Sequence, residues 1–472
     1  MPSPGRPSWR SASALACAST AVLGVLLLAA LLPPPAESSS APRNPSVASR
    51  TVAAGGIHKI KHVIVIMQEN RSFDSYFGTF RGANGIPMRN GVPTVCVPNP
   101  QLGRCRRPFL DNSDRNWGGP HDPHATVADV HGGRMDGFIA ESEVAHQHSP
   151  HAAEDVVGYH DGSSLHNYWS YARAFALQDR MFAATNSWSL PEHLFMVSEW
   201  AAECSDPFNA MSCVNMINGG APPGGTAPHR YAWTDLTYLL HQHHVSWRYY
   251  VRTGIEPDCR NNSEVDCPPT KQSAVKAGVW NPLPNFATVI HNRQRRNIKP
   301  TTWFFHAARH GTLAAVTWIV PGSGVSEHPP RLVSDGQAYV TRLINAVMRS
   351  PQWRSTAIFL SWDDWGGFYD HAVPPRDDIN GYGIRVPGIV ISPYAKHGYI
   401  DHQTLSHDAY VKFIENDFLG GTRINPRTDG RPDRRPNVRE NDQRLGNLVK
   451  DFNFNQPPRK PLILPPPHVH AP

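Results

Sequence analysis

The run His62-Val63-Ile64-Val65-Ile66-Met67-Gln68-Glu69-Asn70-Arg71-Ser72-Phe73-Asp74 sets the architecture. From His62 to Met67 it is a short, β-branched, apolar stretch without alternation, the pattern of a parallel strand covered on both faces. Polar residues then arrive in a row: an amide, a carboxylate, a second amide, a guanidinium and a hydroxyl. In open α/β sheets, ligands gather beyond the carboxyl ends of the strands. A polar cluster directly after a buried strand therefore stands where a site belongs.

Working outward, four more runs read as strands: Ser246–Val251, Val316–Val320, Thr356–Trp362 and Val386–Ser392. Helical periodicity lies between them. It is clearest from Gly336 to Ser350, where Ala338, Val340, Leu343, Ile344 and Val347 supply the apolar positions. Strands alternating with helices predict an α/β fold with a central, mostly parallel sheet flanked by helices. At 472 residues, 40% hydrophobic and 18% charged, the chain can bury a sizeable core and is no disordered polymer.

Residues 1–36 carry Arg6 and Arg10, an apolar run from Ala14 to Leu32 and then small and Pro-rich sequence. This reads as a secretory signal or a retained N-terminal anchor, and the protein is expected to be exported: secreted, periplasmic or attached to the cell envelope. No twin-arginine pair is present, which points to the general export route. Residues 37–56 read as a Ser/Pro-rich linker, residues 57–466 as one catalytic domain and residues 467–472 as a tail. Cys17 lies in the leader. The other six cysteines fall in close pairs, Cys96/Cys105, Cys204/Cys213 and Cys259/Cys267. In an exported chain the simplest reading is three local disulfides; zinc binding is the alternative, without CxxC spacing to support it. Net charge is +6, falling to +4 without Arg6 and Arg10, too mild to argue for a nucleic-acid partner. The excess Arg concentrates after Thr422, where an Arg-, Asn- and Pro-rich loop is expected up to Asn441, followed by an extended segment from Gln456.

The strand Thr356–Trp362 ends in Asp363-Asp364-Trp365-Gly366-Gly367-Phe368-Tyr369-Asp370-His371. Adjacent carboxylates at a buried strand end repel and favour a cation beside them. Glu69, Asn70, Asp363 and Asp364 offer the hard oxygen donors that a divalent metal ion takes. The plainer alternative is that Glu69 and Asp74 cap a helix while Asp363-Asp364 open a turn. Asn70-Arg71-Ser72 matches a glycosylation sequon, which at a strand-end site is accidental.

The whole run from His62 to Gly78 resembles the opening motif of the bacterial phosphoesterase family, which contains non-haemolytic phospholipases C and respiratory-burst-inhibiting acid phosphatases. Gly132-Gly133-Arg134-Met135-Asp136-Gly137-Phe138, Ser326-Glu327-His328-Pro329-Pro330 with Gly336-Gln337, the block from Asp364 to Pro375, and the block from Gln456 to Pro465 resemble further family motifs in the same order. The resemblance implies an alkaline-phosphatase-like sandwich and metal ligation by Glu69, Asn70, Asp363 and Asp364, the metal species left open. It implies a nucleophile at Ser189, in Asn186-Ser187-Trp188-Ser189-Leu190-Pro191-Glu192-His193, with Ser187 as competitor. Glu192-His193 departs from the family's usual Asn-Arg. His121, His328 and His407 match histidines that line the family's pocket. Val127 and Trp280 stand where some members carry His, and His124 is a candidate spatial substitute. The function so implied is hydrolysis of phosphate esters, phospholipid head groups foremost. The alternatives are a broad-specificity acid phosphatase, a sulfatase-like hydrolase or phosphomutase lacking the CxPxR motif of sulfatases, and a non-catalytic binding protein on the same fold.

Overall fold

A computed structural model describes residues 56–146, 149–217, 231–258 and 269–467. The leader, the linker up to residue 55, and Cys259 and Cys267 lie outside the described residues.

The centre is an eight-stranded sheet. Its strands in chain order are β1 (His62–Gln68), β2 (Ala176–Gln178), β3 (Trp247–Val251), β4 (Ile298–Pro300), β5 (Val316–Val320), β6 (Thr356–Trp362), β7 (Gly388–Ile391) and β8 (Tyr399–Asp401). They lie side by side as β4-β3-β5-β1-β6-β7-β2-β8. Every neighbouring pair is parallel except the two that β7 makes, with β6 and β2. The expected α/β architecture with a mostly parallel sheet is therefore present. The reversed β7 has a local cause: no helix lies between β6 and β7 to carry the chain back. Without such a crossover the next strand must run antiparallel, and residues 363–387 stay at the carboxyl end of β6.

The helices used below are α1 (Phe73–Phe77), α2 (Pro123–Val130), α3 (His166–Ala174), α4 (Ser189–Ser198), α5 (Thr302–His310), α6 (Val333–Arg349) and α7 (Asp408–Phe418). α6 begins three residues before the expected Gly336 and buries Ala338, Val340, Leu343, Ile344 and Val347 as its periodicity requires. β1 and β6 are buried along almost their whole length, matching their unbroken apolar sequence. Three short strands, β2, β4 and β8, carry no alternation or long β-branched run by which sequence would mark them.

Cys96–Cys105 and Cys204–Cys213 are disulfides, each closing a small antiparallel hairpin. Among the described residues no helix is long and apolar enough to cross a membrane. The Arg-rich stretch after Thr422 is irregular as expected, but it is no solvated face. Arg435 is buried against the Ser198 and Thr234 carbonyls, and Arg439 donates to the Ala184 carbonyl and to Asp378 and Asp408. The extended segment that follows docks on the body through Asn167 Nδ2 to the Pro465 carbonyl and Asn345 Nδ2 to the Leu464 carbonyl.

Candidate active site and metal centre

β1 and β6 pair with Gln68 opposite Trp362, so Glu69 and Asp363 leave the sheet abreast. The Asp363 amide donates to the Gln68 carbonyl (3.0 Å), continuing the ladder one step past the strands. Asn70 then turns into the left-handed region (φ 43°), which a short amide side chain tolerates. Its Nδ2 donates to Asp364 Oδ1 (2.7 Å) and its backbone N–H to Asp363 Oδ1 (3.3 Å). The two glycines after Trp365 let the loop close on this corner. A Cβ on Gly366 would stand 2.7 Å from the Asn70 carbonyl oxygen, and one on Gly367 would stand 2.4 Å from the Gly119 Cα. The sequon asparagine is wholly buried, so no glycan reaches it.

α4 brings the third element. Ser189 is its first residue, and the Ser189 hydroxyl donates to Asp364 Oδ2 (3.2 Å). Its competitor faces elsewhere: Ser187 Oγ donates to the Ile217 carbonyl (2.6 Å). The Glu192-His193 departure has a structural meaning. Glu192 accepts from the Ala184 and Thr185 backbone amides (2.7 and 2.8 Å) and fixes the loop that leads into Ser189. His193, one turn past Ser189 on the same helix face, sets its Nε2 3.7 Å from Asp363 Oδ2 and 3.9 Å from Glu69 Oε1. Trp280 packs edge-on against that imidazole, ring centroids 6.1 Å apart.

Both Glu69 carboxylate oxygens, Asn70 Oδ1, Asp363 Oδ2 and both His193 nitrogens are buried without a hydrogen-bond partner. Burial, then the charges of Asp363, Asp364 and Asp258, push the Glu69 carboxyl well above the usual range. Burial and Asp363 do the same to Asp364, with His121 opposing. Burial works against ionised Asp363 too, but the nearby His193 imidazole (3.7 Å), the Ser189 hydroxyl and the Asn70 amide outweigh it and bring that group below its ordinary value. Orphaned oxygens and mutually repelling carboxylates in one dry corner fit a divalent cation, with His193 as a donor the sequence reading did not assign. Glu69, His193 and Asp363 also lie close enough to share one ion.

A second cluster stands beside the first. His121, just before α2, and His328 both reach Asp258: His121 Nε2 is 3.0 Å from Oδ2 and His328 Nε2 is 3.1 Å from Oδ1. The other nitrogens face carbonyls, His121 Nδ1 at Gly119 (3.0 Å) and His328 Nδ1 at Pro329 (2.7 Å). The His121 ring, with hydrogen-bond acceptors at both nitrogens, is satisfied only with a proton on each. Burial opposes that charge on His121, but Asp364 and Asp258 together with the Gly119 carbonyl raise its pKa to about 10. Burial likewise opposes ionised Asp258, and the two histidines overcome it and hold the carboxyl far below its usual value. Neighbouring Glu327 is anchored by Tyr76 (2.8 Å), Trp362 (2.9 Å) and Tyr168. A Cβ on Gly336 would stand 2.2 Å from the Glu327 Cγ, which explains a glycine inside α6.

The structure thus brings Glu69, Asn70, Asp363, Asp364 and Ser189 together, with His121 and His328 paired beside them. His407 is not brought to that pair. Wholly buried behind the strand end, it turns Nδ1 to Glu192 (3.3 Å) and Nε2 to the Trp362 carbonyl (3.1 Å). His124 is no substitute: it is solvent-exposed, 3.6 Å from Glu141. Val127 is exposed on α2. Asp74, Asp370 and His371 form a third close group, but Arg385 already supplies its cation, 3.0 Å from Asp74 and 2.9 Å from Asp370.

Carboxylates that could hold a metal ion, beside a helix-borne hydroxyl and two neighbouring imidazoles, make a candidate hydrolase centre at the carboxyl edge of a parallel sheet. The phosphoesterase family model matches residues 60–419, and the chain belongs to that family. It is 26% identical to the non-hemolytic phospholipase C of Burkholderia pseudomallei, over 85% of this chain and 60% of that protein. It is 26% identical to phospholipase C B of Mycobacterium tuberculosis, over 86% and 80%, and 23% identical to the non-specific phospholipase C4 of Arabidopsis thaliana, over 75% and 65%. The chain therefore spans three fifths of the length of the Burkholderia protein.

Proposed function

We propose that the protein is an exported, metal-dependent phosphoesterase of the phospholipase C type that works through Ser189. The observation that carries this reading is the Ser189 hydroxyl at the start of α4, 3.2 Å from Asp364 and beside the orphaned oxygens of Glu69, Asn70 and Asp363. A serine hydroxyl needs activation to attack phosphorus. A divalent ion held by Glu69, Asn70, Asp363 and Asp364, with His193 as a further donor, supplies positive charge for the phosphoryl oxygens and lowers the pKa of the hydroxyl.

The chain's own groups do the rest. Ser189 Oγ gives its proton to Asp364 Oδ2, which it already faces at 3.2 Å, and forms the bond to phosphorus as the bond to the leaving alcohol breaks; the amino end of α4 adds favourable potential for the anionic centre. Asp258 and Asp364 keep His121 protonated, and with His328 beside it that charge serves the phosphoryl group; His121 supplies the proton taken by the leaving alkoxide. In the second step His121, now neutral, takes a proton from water as the water oxygen bonds to phosphorus; the Ser189 Oγ–phosphorus bond breaks, and Asp364 returns the proton to Ser189. His407 acts as a positioning residue: through Glu192 it holds the loop that aims Ser189. With a phospholipid, diacylglycerol leaves and the phosphorylated head group passes through Ser189. The phospholipase C names of the relatives support that substrate class. Export is supported by the leader and by two formed disulfides, which persist in oxidising compartments. The domain is taken to run over residues 57–466.

The test is a purified-enzyme screen with p-nitrophenyl phosphate, p-nitrophenylphosphorylcholine and phosphatidylcholine. The reading expects turnover of the last two. Turnover of p-nitrophenyl phosphate alone makes the protein a phosphomonoesterase of the acid phosphatase type, and turnover of none makes it a binding protein.

A further inference from the structure

Seven Lys and Arg residues and no Asp or Glu occur between residues 271 and 326, and residues 236–255 also contain no carboxylate. These two stretches build one edge of the sheet, β3 and β4, together with α5. Side chains alternate between faces along a strand, so Arg248 and Tyr250 share one face of β3. Lys299 of β4 lies abreast of Tyr250 and adds its ammonium to the same face. Arg296 comes from the turn before β4. Trp303 and His306 face them from α5, three residues apart and so on one side of the helix. Together they line a cavity of ≈ 520 Å³ without a carboxylate in its wall. A groove of ≈ 370 Å³ shares Arg248 and Arg296 and extends it past His241 and His244.

The guanidinium of Arg248 is half-buried and fixed, donating to Asn297 Oδ1 (2.8 Å) and to the Trp247 carbonyl (3.0 Å). Lys299 Nζ stands 5.3 Å over the ring of Trp303, which is 57% exposed. Charged residues on an edge strand commonly discourage strand addition. That explains Lys299, but not a concave wall to which the second strand and the preceding turn each contribute an arginine. Converging cations with no acid among them repel, and an anion seated between them relieves the repulsion. Arg and Lys side by side suit phosphate oxygens, the first by its planar fork and the second as a point charge.

We propose that this cavity binds a phosphate-bearing anion at a site separate from the catalytic centre, to which none of its lining residues belongs. The anion is the head group of an anionic lipid or a soluble phosphate, and two arms of one experiment separate these sources. In the first, inorganic phosphate is titrated calorimetrically into the intact wild-type protein and into an Arg296→Gln/Lys299→Gln double variant. Arg248 is left unchanged because its hydrogen bonds brace β3. The wild type is expected to bind one phosphate more per chain than the variant, or to bind it at least tenfold more tightly. Lys299→Arg is expected to keep the site. Equal stoichiometry and affinity in wild type and double variant overturn the proposal, because all binding then belongs elsewhere. In the second arm, sedimentation with phosphatidylglycerol vesicles is compared with phosphatidylcholine vesicles. Loss of phosphatidylglycerol binding in the double variant, alongside lost phosphate binding, assigns the site to a lipid head group. Unchanged vesicle binding with lost phosphate binding assigns it to a soluble phosphate. The double variant's turnover of p-nitrophenylphosphorylcholine is expected to stay within twofold of wild type.

Discussion

Replacing Asp258 by Asn tests the electrostatic design of the centre. The substitution keeps the shape of the side chain and removes one negative charge from between two buried imidazoles, at 3.0 and 3.1 Å. His121, raised from 6.5 to about 10, owes that rise to two carboxylates and one carbonyl. At 1.36 kcal/mol per unit the whole rise is worth about 5 kcal/mol. Losing one of the two carboxylates removes about 2 kcal/mol of it. The lost contact with His328, at 3.1 Å, adds to this. If that stabilisation is felt by the transition state, kcat/KM falls on the order of 10²-fold, at 1.4 kcal/mol per decade. The assay is hydrolysis of p-nitrophenylphosphorylcholine, run for Asp258→Asn, His121→Asn and the double variant, with thermal unfolding as the check on folding. The two effects should be strongly non-additive, because both act through one imidazolium. A folded Asp258→Asn enzyme as active as wild type, or more active, refutes the reasoning. Asp258 would then be a carboxylate occupying the seat of the phosphoryl oxygens rather than charging the rings that serve it.

Ser189→Ala should cut turnover on the order of 10³-fold or more, whereas Ser187→Ala, whose hydroxyl only meets the Ile217 carbonyl, should cost about 1 kcal/mol of stability and little rate; the reverse pattern would move the nucleophile by two residues. Chelation should abolish activity and an added divalent ion restore it, and elemental analysis should find the ion in wild type but depleted in Glu69→Gln; full activity in verified metal-free protein would contradict this. His160 sits between Asn116 (2.8 Å) and Ser164 (3.1 Å), and burial, aided by the Arg71 charge, lowers its pKa to about 4. The unfolded chain gains this proton near pH 6.5 and the folded protein only near 4, so its contribution is complete above 6.5 and drains away as the pH falls between them. The shift amounts to about 3 kcal/mol. Urea midpoints for wild type and His160→Gln should therefore diverge in slope across that window, and parallel curves would disprove the assignment.

The long apolar strands were legible because burial on both faces leaves an unbroken hydrophobic run, as in β1, β5 and β6. β2, β4 and β8 were not, since two or three ladder positions leave no pattern. Glu69, Asn70, Asp363 and Asp364 were legible because each immediately follows such a run. Asp258 was missed because it sits between Pro257 and Cys259 in a loop without periodicity, and only the tertiary fold carries it to His121 and His328. His193 was visible as a departure from the family pattern, but its spacing from Ser189, one helical turn, was the signal for its place beside Glu69 and Asp363. The Arg-rich stretch was legible as a loop, but not its inward-facing arginines. Arg435 and Arg439 enter the interior because carbonyl ends and carboxylates wait for them there, which no local count of charges reveals.

The register that sets Gln68 opposite Trp362 joins two pieces of chain made far apart in time. Asn70 and Asp364 are 294 residues distant in sequence, and neither strand end alone holds a complete set of donors. At ~5–20 residues per second of synthesis, at least fifteen seconds or so separate their emergence from the ribosome. A nascent or truncated chain shorter than that second strand end lacks half of the buried polar cluster. The polar corner is therefore a product of tertiary pairing and of no local segment.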